Sequence, residues 1–430
     1  MPLDDLIRVS TDASSLPAQR PLDVRFPTTH QDVIDLVTAA NTSRIPLVAR
    51  GAGTGTTGGC IPTPNSLVVD FSKMNQILEI DTANRVAVVQ PGVITQDLHH
   101  AAEAQNLFYP PDPASLATCT IGGNIAENAG GPRGYKYGVT RDYVLGLKGV
   151  WANGSEFTLG GKLFKNVTGY DLISLLVGSE GTLALITEIT LKLVPKPPYT
   201  QDLAFAFPDR DTALGILHSL HLHGLHPAVA EWMDQTCLTA ATTYCNQTPI
   251  TAPFCLLFQL DAFHSADLAD QAQRLTACCQ NAQPLDPIPL WTLRRNLSPA
   301  LRAWARDKTS QDIVVPPAAI GPYLDRLHQL SQETGFTLLG YGHLGDGNIH
   351  VNLLNIDRNS QDYATALPSL TQSVFQAAID LGGTLTGEHG IGLTKKAYLH
   401  LAIDPHTLAL MKALKTTFDP HQLFNPGKAI

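Results

Sequence analysis

The run Arg50-Gly51-Ala52-Gly53-Thr54-Gly55-Thr56-Thr57-Gly58-Gly59 follows a short apolar stretch, Ile45 to Ala49, that reads as a strand. Five glycines in nine residues leave backbone N–H groups uncovered, which is what an anionic ligand needs from its cradle. The run is not the dinucleotide fingerprint, whose third glycine opens a long helix, because Cys60-Ile61-Pro62 comes next. Three further stretches share its character: Pro111-Asp112-Pro113-Ala114-Ser115 leading to Gly122-Gly123-Asn124, Gly130-Gly131 through Gly138, and Lys165 through Leu183 with Glu180 inside it. One such loop could equally tie a hairpin together. Four in one domain point to a large, extended ligand.

Outward from these loops, the chain falls into two parts. Pro195-Lys196-Pro197-Pro198 is the clearest punctuation, since proline ends helices and ladders alike. Before it, the pattern predicts strands at Ile45–Ala49, Ser66–Phe71 and Arg85–Gln90, with helices at Gln31–Ala40, capped by Thr28 or Thr29, and Thr95–Gln105. After it come longer helices at Thr212–His223, Ala266–Asn281, Leu324–Thr334, Leu367–Ile379 and His406–Phe418, then a fixed tail, Phe424-Asn425-Pro426-Gly427-Lys428. The expected organisation is an N-terminal segment (1–20) and two α+β domains (21–195 and 196–430).

A net charge of -9 argues against a nucleic-acid binder. The N-terminus lacks a basic region and an apolar core, and the best membrane candidate, Leu172 to Leu193, is broken by Glu180 and Glu188. The expectation is a cytoplasmic protein, at most peripheral at the inner face of a membrane. Seven cysteines without a Cys-x-x-Cys disfavour a cluster or a disulfide framework. The adjacent Cys278 and Cys279 read as helix filler.

The second part carries the chemistry. In Gly342-His343-Leu344-Gly345-Asp346-Gly347-Asn348-Ile349-His350-Val351-Asn352, a turn at Gly345–Asn348 would bring His343 and His350 together, with Asn352 on the face of His350. Asp346 reads as a turn residue. With Glu388 and His389 from Gly387-Glu388-His389-Gly390, two imidazoles and a carboxylate leave room for water or substrate, as catalytic metal sites do. A single core histidine would need no such explanation; the combination does. A second cluster, His218, His221, His223 and His226, has no carboxylate and reads as a solvated helix face.

These loops in this order resemble the flavin domain of the vanillyl-alcohol oxidase and p-cresol methylhydroxylase (PCMH) type. With the histidine motifs, the chain resembles the branch of FAD-linked D-lactate dehydrogenases, D-2-hydroxyglutarate dehydrogenases and the glycolate oxidase flavin subunit. The resemblance covers nearly the whole chain. It implies a PCMH-type FAD-binding domain followed by an α+β substrate domain with an antiparallel sheet. FAD would be held by Arg50, Gly51, Ala52, Gly53, Thr54, Gly55, Gly58, Pro111, Asp112, Ser115, Gly122, Gly123, Asn124, Glu180, Ile186 and Asn425. Thr54 stands where some relatives carry the histidine that binds FAD covalently, so non-covalent binding is implied. His343, His350 and Glu388 would ligate a divalent metal, zinc or else manganese or iron, and His389 would be the general base. Arg294 would pair the substrate carboxylate, with Asn352 and Lys308 as further contacts. In the hydroxyglutarate branch a lysine stands two residues before the Asp that matches Asp312; here that place holds Ser310, which argues against a dicarboxylate.

The implied reaction is oxidation of a small D-2-hydroxy acid, such as D-lactate or glycolate, to the 2-oxo acid. The proton goes to His389, the hydride to flavin N5, and the electrons onward to an acceptor or iron–sulfur subunit. Three rivals stand against it. A non-catalytic flavin subunit would not need the histidines, a metal hydrolase would not need the four loops, and a sugar or phenol oxidase would not need the metal.

Overall fold

The computed structural model describes residues 3–305, 307–354 and 363–430, and the chain divides into two compact units. Unit 1 comprises Met1–Gly131, Gly138–Lys196 and Glu388–Ile430; unit 2 comprises Pro132–Tyr137 and Pro197–Gly387. The expected boundary at 195/196 lies one residue from the Lys196/Pro197 break, whereas the segment from Glu388 onward clusters with unit 1.

Unit 1 contains β1 (Asp23–Arg25), β2 (Leu47–Arg50), β3 (Leu67–Asp70), β4 (Ile77–Asp81), β5 (Val86–Val89), β6 (Leu107–Phe108), β7 (Val144–Trp151), β8 (Glu156–Gly160), β9 (Ala184–Lys192) and β10 (Val194–Pro195). A small parallel sheet runs β1-β3-β2, an antiparallel one runs β4-β5-β9-β7-β8, and β6 pairs with β10. The expected helix at Gln31–Ala40 is His30–Ser43, with Thr29 as its N-cap and Asp32 completing a capping box. It packs Val33 and Val37 with Leu47, Val69, Leu185 and Phe424 in one core cluster. β2 therefore delivers the glycine run from a fully packed strand end. The tail is fixed there too: Phe424 bridges Leu47, and Asn425 donates its backbone N–H to the Leu47 carbonyl.

Unit 2 is built on β11 (Tyr199–Phe207), β12 (Val229–Asp234), β13 (Phe254–Ala262), β14 (Gln283–Leu285), β15 (Lys308–Val314), β16 (Thr337–His343) and β17 (Asn348–Leu354). They form one antiparallel sheet in the order β14-β11-β13-β12-β16-β17-β15. The α+β class and the antiparallel second sheet agree with the expectation. Helices Arg210–Leu222 and Ser265–Cys278 match the predicted ones closely, and Ile320–Thr334 and Tyr363–Asp380 each start four residues before the expected Leu324 and Leu367. The first stops one residue early because Gly224 follows at φ 60°, so His223 is its C-cap and His226 lies outside it.

Candidate functional site: a glycine-walled cavity and a histidine hairpin

Unit 1 lines a cavity of about 450 Å³. Its wall includes Arg50 through Thr56, Ser115, Gly122, Gly123, Asn124, Glu180, Ile186 and Asn425, and also Glu388 and His389. A Cβ at Gly55 would meet nothing within 4 Å, so the loop offers bare backbone to open space, while Gly53 holds φ 75°. Gly58, Pro111 and Asp112 stand off this wall. Gly58 packs against Leu16 and Leu393, the Pro111 carbonyl is 3.0 Å from His99 Nε2, and the Asp112 backbone lies against Gly131. Their immediate neighbours, Gly59, Pro113 and Ala114, line the wall instead.

Arg50 lines the wall, yet its guanidinium is turned to the protein: Nη1 donates to the Thr11 carbonyl at 2.8 Å and to Cys60 Sγ at 3.3 Å. Glu180 is likewise committed, accepting the N–H groups of Ile391 and Gly392. Glu388 Oε1 and His389 Nε2 are 3.6 Å apart. Glu388 Oε2 lies 3.0 Å from where a Cβ of Gly130 would stand, so the third glycine stretch makes room for this carboxylate.

In unit 2 the expected turn is present. β16 ends at His343, β17 starts at Asn348, and Asp346 Oδ1 accepts the Asn348 N–H at 3.1 Å in an Asx-turn. Tyr341 registers with His350, which puts His343 and His350 diagonally on one face, ring centroids 5.3 Å apart at 80°.

The sequence reading missed what holds this pair. Glu231, fully buried on β12, is the cross-strand partner of His343, and its Oε1 lies 2.5 Å from Nδ1. Its Oε2 accepts Arg294 Nε at 2.6 Å. Burial alone would raise the Glu231 carboxyl, but Arg294 and His343 hold it below the usual range. Burial pushes the His343 imidazole down, and the Glu231 charge more than reverses this, to about 9. Asp312, also missed, registers with His350 and is fully buried. It accepts Asn348 Nδ2 at 2.5 Å, and Thr386 Oγ1 and the Gly387 N–H at 2.8 Å each, fixing the residues just before Glu388.

The residues expected to contact substrate each have partners within the protein. The Arg294 fork is taken up by Glu231, with Tyr341 beneath it at 4.8 Å. The Asn352 amide donates to the His350 carbonyl and accepts from Ser310 Oγ. Lys308 Nζ donates to the Ser298 carbonyl and hydroxyl, and burial pushes its ammonium down to about 8. The exposed histidine cluster has partners after all: His221 Nε2 lies 3.0 Å from the Tyr135 hydroxyl, and His226 Nε2 3.0 Å from the Tyr135 carbonyl.

The fold is that of a solved p-cresol methylhydroxylase, with TM-score 0.81 over 99% of this chain and 92% of that one at 16% identity. The chain belongs to the FAD linked oxidases: that family's C-terminal domain matches residues 196–429, and an FAD binding domain matches residues 21–160. Its relatives include the glycolate oxidase subunit GlcD of Bacillus subtilis, 39% identical over 97% of this chain and 91% of that protein. The D-lactate dehydrogenase of Anaerostipes hadrus is 32% identical over 93% and 88%. The protein is thus an FAD-linked oxidoreductase, as its motifs suggested. The cavity suits that cofactor: its volume falls in the roughly 300–1,000 Å³ range of ligand sites, and its wall supplies uncovered glycine backbone.

Proposed function

We propose that this enzyme oxidises a small D-2-hydroxy acid, of the D-lactate or glycolate type, to the 2-oxo acid. The observation that carries the reading is that Glu388 and His389 line the same unit 1 cavity as the glycine run of the FAD-binding domain. FAD, held without a covalent bond at a wall where Thr54 replaces an attaching histidine, supplies the hydride acceptor when bound. His389, one-third exposed, takes the hydroxyl proton. The backbone of Gly51–Thr56 and Gly59, with Gly122–Asn124, holds the cofactor's polar groups.

His343, His350 and Glu388 are the proposed ligands of a divalent cation, zinc or else manganese or iron, which would acidify the alcohol. The donor types support this. Glu231 on Nδ1 leaves Nε2 as the ligating nitrogen of His343, the usual carboxylate–histidine–metal relay. Arg294 remains the proposed anchor for the substrate carboxylate, its charge shared with Glu231. Asn352 and Lys308 support the sheet rather than touch substrate. An electron-acceptor partner, such as an iron–sulfur subunit, would reoxidise the enzyme, which we place in the cytoplasm. No helix among the described residues is long and apolar enough to cross a membrane, and peripheral association is compatible with that.

Anaerobic titration of the yellow protein with D- and L-2-hydroxy acids tests the proposal. D-lactate or glycolate should bleach the flavin. A colourless protein would favour the metal hydrolase, and bleaching by no hydroxy acid would leave the non-catalytic flavin subunit.

A further inference from the structure

Two carboxylates of unit 1, the half-buried Glu127 and the buried Glu180, face the turn that follows His389. Glu180 Oε1 accepts the N–H of Ile391 at 2.8 Å, and Oε2 accepts that of Gly392 at 2.7 Å. The same turn is held from its other side by Thr57. The Thr57 hydroxyl donates to the His389 carbonyl at 3.3 Å, and its carbonyl accepts the N–H groups of Leu393 and Thr394. Four consecutive amides after His389 are therefore claimed by two residues outside the turn.

The local chain is shaped for this grip. Gly390 has φ 76° and Gly392 φ 52°, and a Cβ at either would run into Glu127 or Thr57. Glu180 itself sits at φ 52°, a left-handed conformation that costs a non-glycine residue about 1–2 kcal/mol. Such a residue persists only where its surroundings over-determine it. Here the Glu180 N–H donates to the Ala126 carbonyl, and its own carbonyl accepts Asn425 Nδ2, each at 2.8 Å.

We propose that Glu180 is a positioning residue for His389, acting through the backbone of Gly390–Gly392, rather than a contact to the cofactor. Each of its oxygens faces an N–H donor, an arrangement that suits the carboxylate and not the acid. Glu127 lacks such donors: its Oε2 is buried with no hydrogen-bond partner among the described residues, and burial, then the charge of Glu180, pushes its carboxyl well above the usual range. Thr57 ties this turn to the glycine run, so the loop that would cradle the cofactor and the turn that carries the base are one hydrogen-bonded unit.

The proposal rests on His389 being the base, and the test separates the two. Glu180→Gln is purified and read three ways: FAD per chain, the anaerobic rate of flavin reduction by the bleaching hydroxy acid, and deuterium uptake at residues 388–394. The expected result is unchanged FAD content, a roughly 100-fold slower reduction with little change in half-saturating substrate, and at least tenfold faster exchange at Ile391 and Gly392. Lost FAD with unaltered exchange would overturn the proposal in favour of a cofactor contact, and wild-type reduction or wild-type exchange would overturn it outright. If Glu180→Gln does not fold, Thr57→Val, which loosens the other side of the turn, is read in the same way. Faster exchange combined with full-rate reduction in His389→Ala would mean that the base assignment, and not the grip, had failed.

Discussion

Glu231 meets His343 across neighbouring strands with Oε1 2.5 Å from Nδ1, and the same carboxylate holds Arg294 from helix Pro287–Arg295. One buried acid thus orients a proposed metal ligand and a proposed substrate anchor. Glu231→Gln leaves Arg294 buried beside a neutral group, a change expected to cost about 3–5 kcal/mol, read from urea unfolding. Metal affinity should also fall about 10–100-fold in a competition titration. Wild-type values in both measurements would make the triad dispensable.

His389→Ala should keep the yellow spectrum and lose bleaching by hydroxy acid in anaerobic mixing. Since proton transfer by a positioned base is worth roughly 10²–10⁴-fold, the reduction rate should drop by that order. Full-rate bleaching would remove His389 from the base role.

A strong chelator should slow turnover without releasing FAD, and added zinc or manganese should restore it. Metal analysis is the control: a fully active preparation with well under one equivalent of metal would exclude the proposed ligand set of His343, His350 and Glu388.

Gly345 lies in the turn between the two histidine strands, and a Cβ there would land on the Tyr135 ring. Tyr135 is in turn gripped by His221 and His226. Gly345→Ala should therefore destabilise by about 1–3 kcal/mol, the range for overpacking, and lower the thermal midpoint. An unchanged midpoint would show that the ring yields.

Asp32 accepts hydrogen bonds from the backbone of Thr28 and Thr29 and from the Thr28 hydroxyl, which pull its carboxyl down to about 2. A depressed acid stabilises the fold above its unfolded value of 3.8 and loses that contribution as pH falls towards 2. Asp32→Asn should thus flatten the acid limb of a melting-temperature profile between those values. A profile parallel to wild type would mean that the box persists in the unfolded chain.

How much of this was legible depended on how local the signal was. The helix at His30–Ser43 announced itself through Thr29 and Asp32, and the hairpin through two glycines and an Asx-turn, all within a few residues. Glu231 and Asp312 were not seen, because their partners lie 112 and 74 residues away. A signal for Glu231 existed: one acid inside Val229-Ala230-Glu231-Trp232-Met233, a run too apolar to be solvated, must be paired. The substrate role of Arg294 came from the resemblance, and its own segment says nothing of the acid it pairs with. The solvated face read for the four histidines holds, since all four are exposed, but only His218 and His221 lie on the helix because Gly224 ends it first.

The discontinuous make-up of the two units constrains how this polypeptide can be dissected. A product stopped at Lys196 would leave Leu47 without Phe424 and Gly59 without Asn425, while one begun at Pro197 would omit Tyr135, on which the Gly345 turn rests. Neither half is a transplantable module, so chimeras that exchange substrate preference between relatives must carry the Pro132–Tyr137 excursion with the body and the last forty-odd residues with the front.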